Sequence, residues 1–351
     1  MKAKALEYSI ADLVAGRRKD KKAFLSQIDL IVDWKPLCAI IEKAYTKGRK
    51  HNGRPCHSPL VLFKVELLRT WYGLSDAEVE SQVNDRLSFS RFVGIALDDV
   101  CPDSTSLCRF RKAMVAAAVY DDLLNELNRQ LEQRGVLVKR GAIVDASITD
   151  SPRRPRGRKE YTVVEDRKED DGLEAAESAF VQEAEKPNVD REARWVKKAG
   201  KLRFGFKRHT TTNLDGMILA EETTAANESD IKHLTTSIDK AGLPAGTPVM
   251  ADKGYCSREN IEALKQRKLK DRIMRKASRG SKLTAHERQF NNAISRSRYT
   301  VERTFGSIRR WFGAGFARYV GLAKTHGQHI MEAIAYNLYR TPGLIVSKCL
   351  G

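Results

Sequence analysis

The chain contains no apolar run approaching the roughly 20 residues that a membrane-spanning helix needs. Its start, MKAKALEYSI, also has no secretory hydrophobic stretch. Both absences argue against a membrane or secreted protein and predict a cytoplasmic one. Cysteine is sparse: six among 351 residues, at positions 38, 56, 101, 108, 256 and 349, with no C-x-x-C pair. That scatter excludes a zinc ribbon or a disulfide framework and predicts reduced, mostly buried thiols. The seven histidines form no H-E-x-x-H. His326 and His329 stand three apart, which on a helix could share a metal, but a solvated or DNA-facing pair is the expectation. Neither G-x-x-x-x-G-K-[ST] nor G-x-G-x-x-G occurs, which demotes ATP-driven motors and dinucleotide enzymes. No internal repeat is evident. Any metal chemistry must rest on carboxylates.

Acids are themselves in deficit. Against 63 Lys and Arg stand 45 Asp and Glu, a formal charge of +18. From Lys253 to Arg310 there are 17 basic and 5 acidic residues, so +12 of the excess falls in that one stretch. A field so lopsided concentrates polyanions and points to nucleic acid, because a merely solubilising face mixes both signs. With 41% hydrophobic and 31% charged residues, the composition is that of a globular chain long enough for two or three domains.

Residues 1–136 read as helical. Ser58 and Pro59 offer an N-cap and a first-turn proline, Gly73 a stop, and Ser75 with Glu78 a capping box. Further helices are predicted from Asp103, carrying Arg109, Arg111 and Lys112, and from Tyr120 to Gln133. The helix, short turn at Gly73 and helix are also compatible with helix-turn-helix geometry, although most such pairs are plain helical hairpins. At Gly141–Ile148 the pattern becomes short, apolar and β-branched, a buried strand with Asp145 inside it. Residues 150–200 are polar and predict a mobile loop or a poorly packed excursion, with Arg153, Arg154, Arg156 and Arg158 able to track phosphates. Strands then follow at 202–212 and 217–224, with a turn at 214–216. A helix capped by Asn227 runs to Ala241, and a short strand at 248–251 ends at Asp252. After a helix over 257–268 and a strand near 272–276, a long amphipathic helix spans 285–312. The order predicts a mixed α/β sheet of ribonuclease H type behind an all-helical N-terminal domain: residues 1–136 for DNA binding or dimerisation, then a catalytic domain over 137–345 with its polar insertion.

Asp145 and Asp252 are each expected at the end of a buried strand, where a charge is costly unless paired or bound to metal. A strand-end aspartate that only caps the next turn is the simpler alternative. Glu302 borders the core stripe Val301, Phe305, Ile308 and Phe312 of the long helix, with Arg298 and Arg309 on its own side. Three carboxylates converging on one sheet edge would suit two Mg²⁺ ions, with Mn²⁺ a possible substitute. Arg298, Arg309 and Lys253 would then neutralise phosphates. Lys207 and His209 alternate along a strand expected beside Asp145, from which they could reach DNA or the metal. Among the tryptophans, Trp71 and Trp311 read as core, and Trp195 as the candidate for stacking on a base.

These residues resemble the DDE transposases of bacterial insertion sequences, in the branch named after insertion sequence five. IVDASI resembles the segment bearing the first Asp. MADKGY resembles the second block, Asp252-Lys253-Gly254-Tyr255. SRSRYTVERTFGSIRRWFG is similar to the third, in which Arg298 and Glu302 match the expected Arg and catalytic Glu. Arg309, followed by Arg310, stands where Lys is usual, and Ser295 where the wider signature has Tyr, with Tyr299 out of register. The likeness spans about residues 50–340. It implies Asp145, Asp252 and Glu302 as catalytic and metal-binding residues, with Arg298, Arg309, Arg310, Lys253, Tyr255, Lys207, His209, Arg109 and Arg111 as candidate DNA contacts. It further implies cleavage of terminal inverted repeats, transfer of 3′-OH ends into target DNA, a homodimer or larger complex on double-stranded DNA, and a nucleoid-associated bacterial protein. A ribonuclease H-like nuclease that cuts without joining, and a DNA-binding regulator derived from a transposase, remain as alternatives.

Overall fold

The computed structural model describes residues 24–45, 57–96, 99–156, 161–166, 178–183, 188–198, 200–277 and 282–349. The first third is a set of helices whose ends obey local chemistry. After α1 (Phe24–Ile31), α2 (Trp34–Ala44) is capped by the Asp33 carboxylate, which accepts from Lys35 N. Helix α3 (Pro59–Tyr72) starts on its proline and stops at Gly73, whose φ of 67° is the left-handed conformation glycine adopts without strain. Helix α4 (Asp76–Asp85) opens on the expected capping box, both of whose bonds are made between Ser75 and Glu78. Helices α5 (Leu87–Val93), α6 (Ser104–Ala116) and α7 (Tyr120–Gln133) follow.

The sheet begins with β1 (Ala142–Asp150). A separate hairpin of β2 (Tyr161–Asp166) and β3 (Ser178–Glu183) and the strand β4 (Arg194–Lys198) precede the long β5 (Lys201–Asn213). β6 (Ile218–Ala225), α8 (Leu234–Ala241), β7 (Pro248–Ala251), α9 (Arg258–Gln266) and β8 (Lys270–Ile273) come next. Two long helices close the chain, α10 (Ala285–Phe312) and α11 (Leu322–Cys349). β1 pairs antiparallel with β5 and parallel with β7, β5 pairs antiparallel with β6, and β7 pairs parallel with β8. The resulting order, β6–β5–β1–β7–β8, is that of the ribonuclease H fold, as the order of elements in the sequence predicted. β4 extends the β6 edge of β5 beyond Gly205.

Helix α11 binds the helical region to this sheet. One continuous hydrophobic cluster joins Leu62, Phe63 and Leu67 of α3 and Leu123 and Leu127 of α7 to β6 and to Ile330, Ile334 and Leu338 of α11. Trp71 Nε1 donates to the Ala335 carbonyl across that contact, at 2.9 Å.

Several expectations are corrected. The described residues of the polar 150–200 stretch form three strands where a mobile loop is one expectation, two of them a hairpin apart from the main sheet and the third on its edge. Tyr161–Asp166 and Ser178–Glu183 carry the β-branched and aromatic residues that suit a hairpin, and Arg194–Lys198 is a basic edge strand. Arg158 lies outside the described residues. No helix starts at Asn227: Lys207 Nζ donates to the Glu228 carbonyl and pairs with Asp230, tying this segment to β5. Only a 3₁₀ turn, Asp230–His233, precedes α8. β8 lies earlier than 272–276, because Lys270 N already donates to Thr247 O and pairing with β7 ends at Ile273. Of the thiols described for burial only Cys101 is buried, while Cys38 and Cys256 are intermediate and Cys108 is exposed. His326 and His329 do not form a solvated pair: His329 is buried between Thr149 and Thr223, and the half-buried His326 bonds Thr223 and Asp121.

Candidate active site

Asp145 lies within β1 and not at its end, since β1 continues along β5 to Asp150. Its pairing with β7 stops at Val144–Ala251, however, and Asp252 is the first residue beyond β7. Both aspartates therefore stand where two neighbouring parallel strands part, on the edge that α/β sheets use for ligands. Side chains alternate along a strand, so Asp145 shares its face with Ile143 and Asp252 with Met250. Ile143 and Met250 both pack under α10, against Ile294, Val301 and Phe305. The α10 stripe anticipated from the sequence is what holds Arg298 and Glu302 above that edge.

Arg298 Nη2 reaches Asp145 Oδ2 at 2.8 Å, with both side chains largely buried. Asp145 Oδ1 accepts from Ala146 N at 2.9 Å, and Asp252 Oδ1 from Gly254 N at 2.7 Å. Burial pushes the Asp145 carboxyl above its ordinary value; Arg298 and the Ala146 N–H oppose the rise without cancelling it, and the Asp252 charge adds to it. Burial works against the Arg298 charge, but Asp145, with Asp252 and Glu302 behind it, more than offsets that and holds the guanidinium up. Arg298 thus feels all three acids. Glu302 is exposed, one helical turn further along α10.

Tyr255 is buried, its hydroxyl has no hydrogen-bond partner among the described residues, and burial followed by Asp230, Asp145 and Asp252 lifts its pKa well above the ordinary phenol value. Lys253 and Arg310 are exposed. Arg309 Nη2 and Arg203 Nη2 both reach the Ile148 carbonyl at 3.3 Å. Burial and the neighbouring Arg203 lower the Arg309 pKa. Arg203, also bound to Asp150 at 2.6 Å, was not singled out from the sequence. Its signal was the basic alternation Lys201, Arg203, Lys207 along β5.

Lys207 and His209 are not brought to the acids. Asp145 is in register with Thr210, so both residues point from the opposite face of β5, where Lys207 meets Asp230 and His209 meets Thr224. Arg111 is engaged by Glu66 and Asp76. Arg109 is exposed on α6, away from the sheet edge. Trp71 is buried as expected, whereas Trp311 lies against Tyr339 with part of its ring exposed and Trp195 is exposed against Phe204.

Oxygen donors are what a hard divalent cation takes, and the two aspartates fit that chemistry. Among the described residues, however, no group of three His, Cys, Asp or Glu side chains is close enough to hold a metal. No described helix is long and apolar enough to cross a membrane.

Residues 137–338 match the transposase DDE domain family, and residues 13–113 match a second transposase domain family. The transposase for insertion sequence element IS1106 of Neisseria meningitidis serogroup B is 36% identical over 234 residues, covering 66% of this chain and 76% of that protein. Two solved structures, the Mos1 strand transfer complex and a pre-cleavage Mos1 transpososome, align over 85% of this chain and 80% and 81% of theirs. Their identity is 10% and their TM-score 0.21, too low to bear on the fold. The family match covers more than half of the chain and includes both aspartates, Arg298 and Glu302, so the chain belongs to the DDE transposases of bacterial insertion sequences.

Proposed function

We propose that this transposase binds the terminal inverted repeats of its element as a dimer or larger complex, cleaves the ends and transfers the 3′-OH strands into target DNA. The observation that carries this reading is the placement of Asp145 and Asp252 one residue beyond the same pairing step of adjacent parallel strands, with Arg298 bound to the first. Asp145, Asp252 and Glu302 would hold divalent ions, Mg²⁺ or Mn²⁺. Held there, such ions would supply Lewis-acid activation of the attacking oxygen and charge stabilisation of the leaving one. Arg298 fixes the Asp145 carboxylate and supplies positive charge beside the scissile phosphate. Glu302 approaches from α10, so closing the acid set requires its side chain to turn toward the strand ends. Lys253, Arg309 and Arg310 are the DNA contacts this placement supports, and the exposed Arg109 on α6 would meet DNA only outside the strand-end site.

The test is cleavage and strand transfer on a plasmid carrying the element's ends, with Mg²⁺. Asp145→Asn and Glu302→Gln should each lower cutting by about a hundredfold or more, as losing a group that stabilises transition-state charge does, while DNA binding persists. Cutting by Glu302→Gln at the wild-type rate would remove Glu302 from the site. Cutting without joining by the wild type would favour a nuclease.

A further inference from the structure

Arg298 stands at the middle of α10 and Glu302 just beyond it; the half that precedes them lies over β7 and β8 and leaves a groove. This groove, of 690 Å³, has Met250 and Ile294 among its apolar residues, Phe290 and the two arginines Arg272 and Arg275 along its sides, and Ser297, next to Arg298, in its lining. Resting on the transposase reading above, we propose that it binds a single strand of DNA adjoining the scissile phosphate, phosphates on Arg272 and Arg275 and a base against Phe290.

Position argues for this first. Met274 N donates to Ala251 O at 3.0 Å, which places Met274 one strand over from Asp252, with Arg275 next. Adjacent strands are about 4.8 Å apart, so the path from Asp145 across Asp252 to the β8 edge is about 10 Å. That is about three nucleotide steps at the 3.4 Å spacing of a stacked strand.

Chemistry argues second. The guanidinium carbons of Arg272 and Arg275 lie 5.7 Å and 5.2 Å from the Phe290 ring centre. Arg275 is held by Asp271 at 2.6 Å, and its backbone exchanges hydrogen bonds with the Asn291 side chain. Its Nη1 is buried with no partner among the described residues. Arg272 is exposed and forms no ion pair with a described acid. The acid in the lining, Glu287, is already used by the Thr284 capping box. Cations with spare donors beside an aromatic face are what an unpaired strand requires, because only an unpaired base frees its face for stacking.

The measurement is fluorescence anisotropy of a labelled oligothymidylate with the full chain, as a function of salt, beside cleavage of element ends. Replacing Arg272 and Arg275 together by Ala should weaken binding about tenfold or more and make the salt slope shallower by about 1.4, or 0.7 for each lost phosphate. Phe290→Leu, which keeps apolar bulk in the groove, should weaken binding about fivefold or more with the slope unchanged, and Phe290→Tyr should restore it. Thermal melts identify any variant that fails to fold, and Arg272→Ala alone, on an exposed position, then carries the test. Wild-type affinity in the folded variants overturns the proposal. Asp145→Asn should bind oligothymidylate normally. Loss of binding in the groove variants, in a wild-type protein that cuts no ends, would keep the groove and sink the catalytic reading; the reverse pattern sinks the groove alone.

Discussion

At the scale of single residues, two buried histidines show what burial implies for pH. His329 is fixed between Thr149 and Thr223, and burial, with Arg208 and His326 beside it, lowers its pKa well below the ordinary value. His209 is pushed down to about 3 by burial first and then by the adjacent His233, whose ring centre is 4.6 Å away, while Asp230 opposes and Lys207 assists. Both rings are neutral in the folded protein near neutral pH. The unfolded chain takes up these protons below about pH 6.5. Above that value the two states bind alike and these groups add no pH dependence. As pH falls through it, each histidine removes about 1.4 kcal/mol of stability per pH unit, for His209 down to its folded value near 3. His329→Gln should flatten the urea-midpoint profile between about pH 6.5 and pH 5 by that one-proton slope. An unchanged slope would mean that His329 protonates in place without cost. The sequence marks Asp145, Asp252, Arg298 and Glu302 as candidates because each sits in a short block with a distinct local pattern. It could not disclose which face of β5 carries Lys207 and His209, because that depends on a register that only the folded sheet defines.

At the scale of elements, the same contrast explains which parts were legible. Strand β1, the turn at 214–216 and helix α10 announce themselves by β-branched runs, glycine and a 3.6-residue stripe. Helix α11 does not, because it is buried nearly all round. Thr325, Gln328, His329, Glu332, Asn337 and Thr341 are inside and hydrogen-bonded, so no polar face marks its period. Glu332, for example, shares Arg208 with Glu221 in a fully buried ionic triad. The turn before β6 matters most for the site, since it seats α10. Gly216 has φ of 82°, and its carbonyl accepts from Thr304 Oγ1 at 3.0 Å. A Cβ there would stand 2.8 Å from that same oxygen and 3.1 Å from Thr300 Cγ2. Gly216→Ala should therefore cost about 1–2 kcal/mol for the left-handed backbone and a further 1–3 kcal/mol for overpacking. Displacing α10 should also slow cleavage, because Arg298 and Glu302 ride on it. Adding Thr304→Ala removes the clash and leaves the backbone strain, so the double variant should recover part of the melting temperature. Wild-type stability in Gly216→Ala would show that α10 is not seated by this turn.

At the scale of the whole molecule, the helical region and the catalytic sheet share one interior. The cluster running from α1 through α3 and α7 to β6 and α11 has no seam near residue 136. Polar contacts cross the same boundary: Asn128 Nδ2 donates to the Ile218 and Leu219 carbonyls, Asn337 Nδ2 donates to Asn128 Oδ1, and Arg318 Nη1 donates to the Leu74 carbonyl. Unfolding one part alone would expose the apolar face of the other and strand these buried partners, each at a cost of about 1–3 kcal/mol. The two parts should therefore unfold together. The tryptophans allow a direct check, with Trp34 and Trp71 on the helices and Trp195 and Trp311 on β4 and α10. One variant carries Trp195→Phe and Trp311→Phe; the other carries Trp34→Phe and Trp71→Phe. In each, the fluorescence transition should coincide with the loss of helical circular dichroism measured on the same sample. Residues 1–136 expressed alone should lack a cooperative melt. Two separated transitions within either variant, or a cooperative melt of the isolated helices, would mean that the sheet is dispensable to them, and that α11 joins two independent domains instead of completing one.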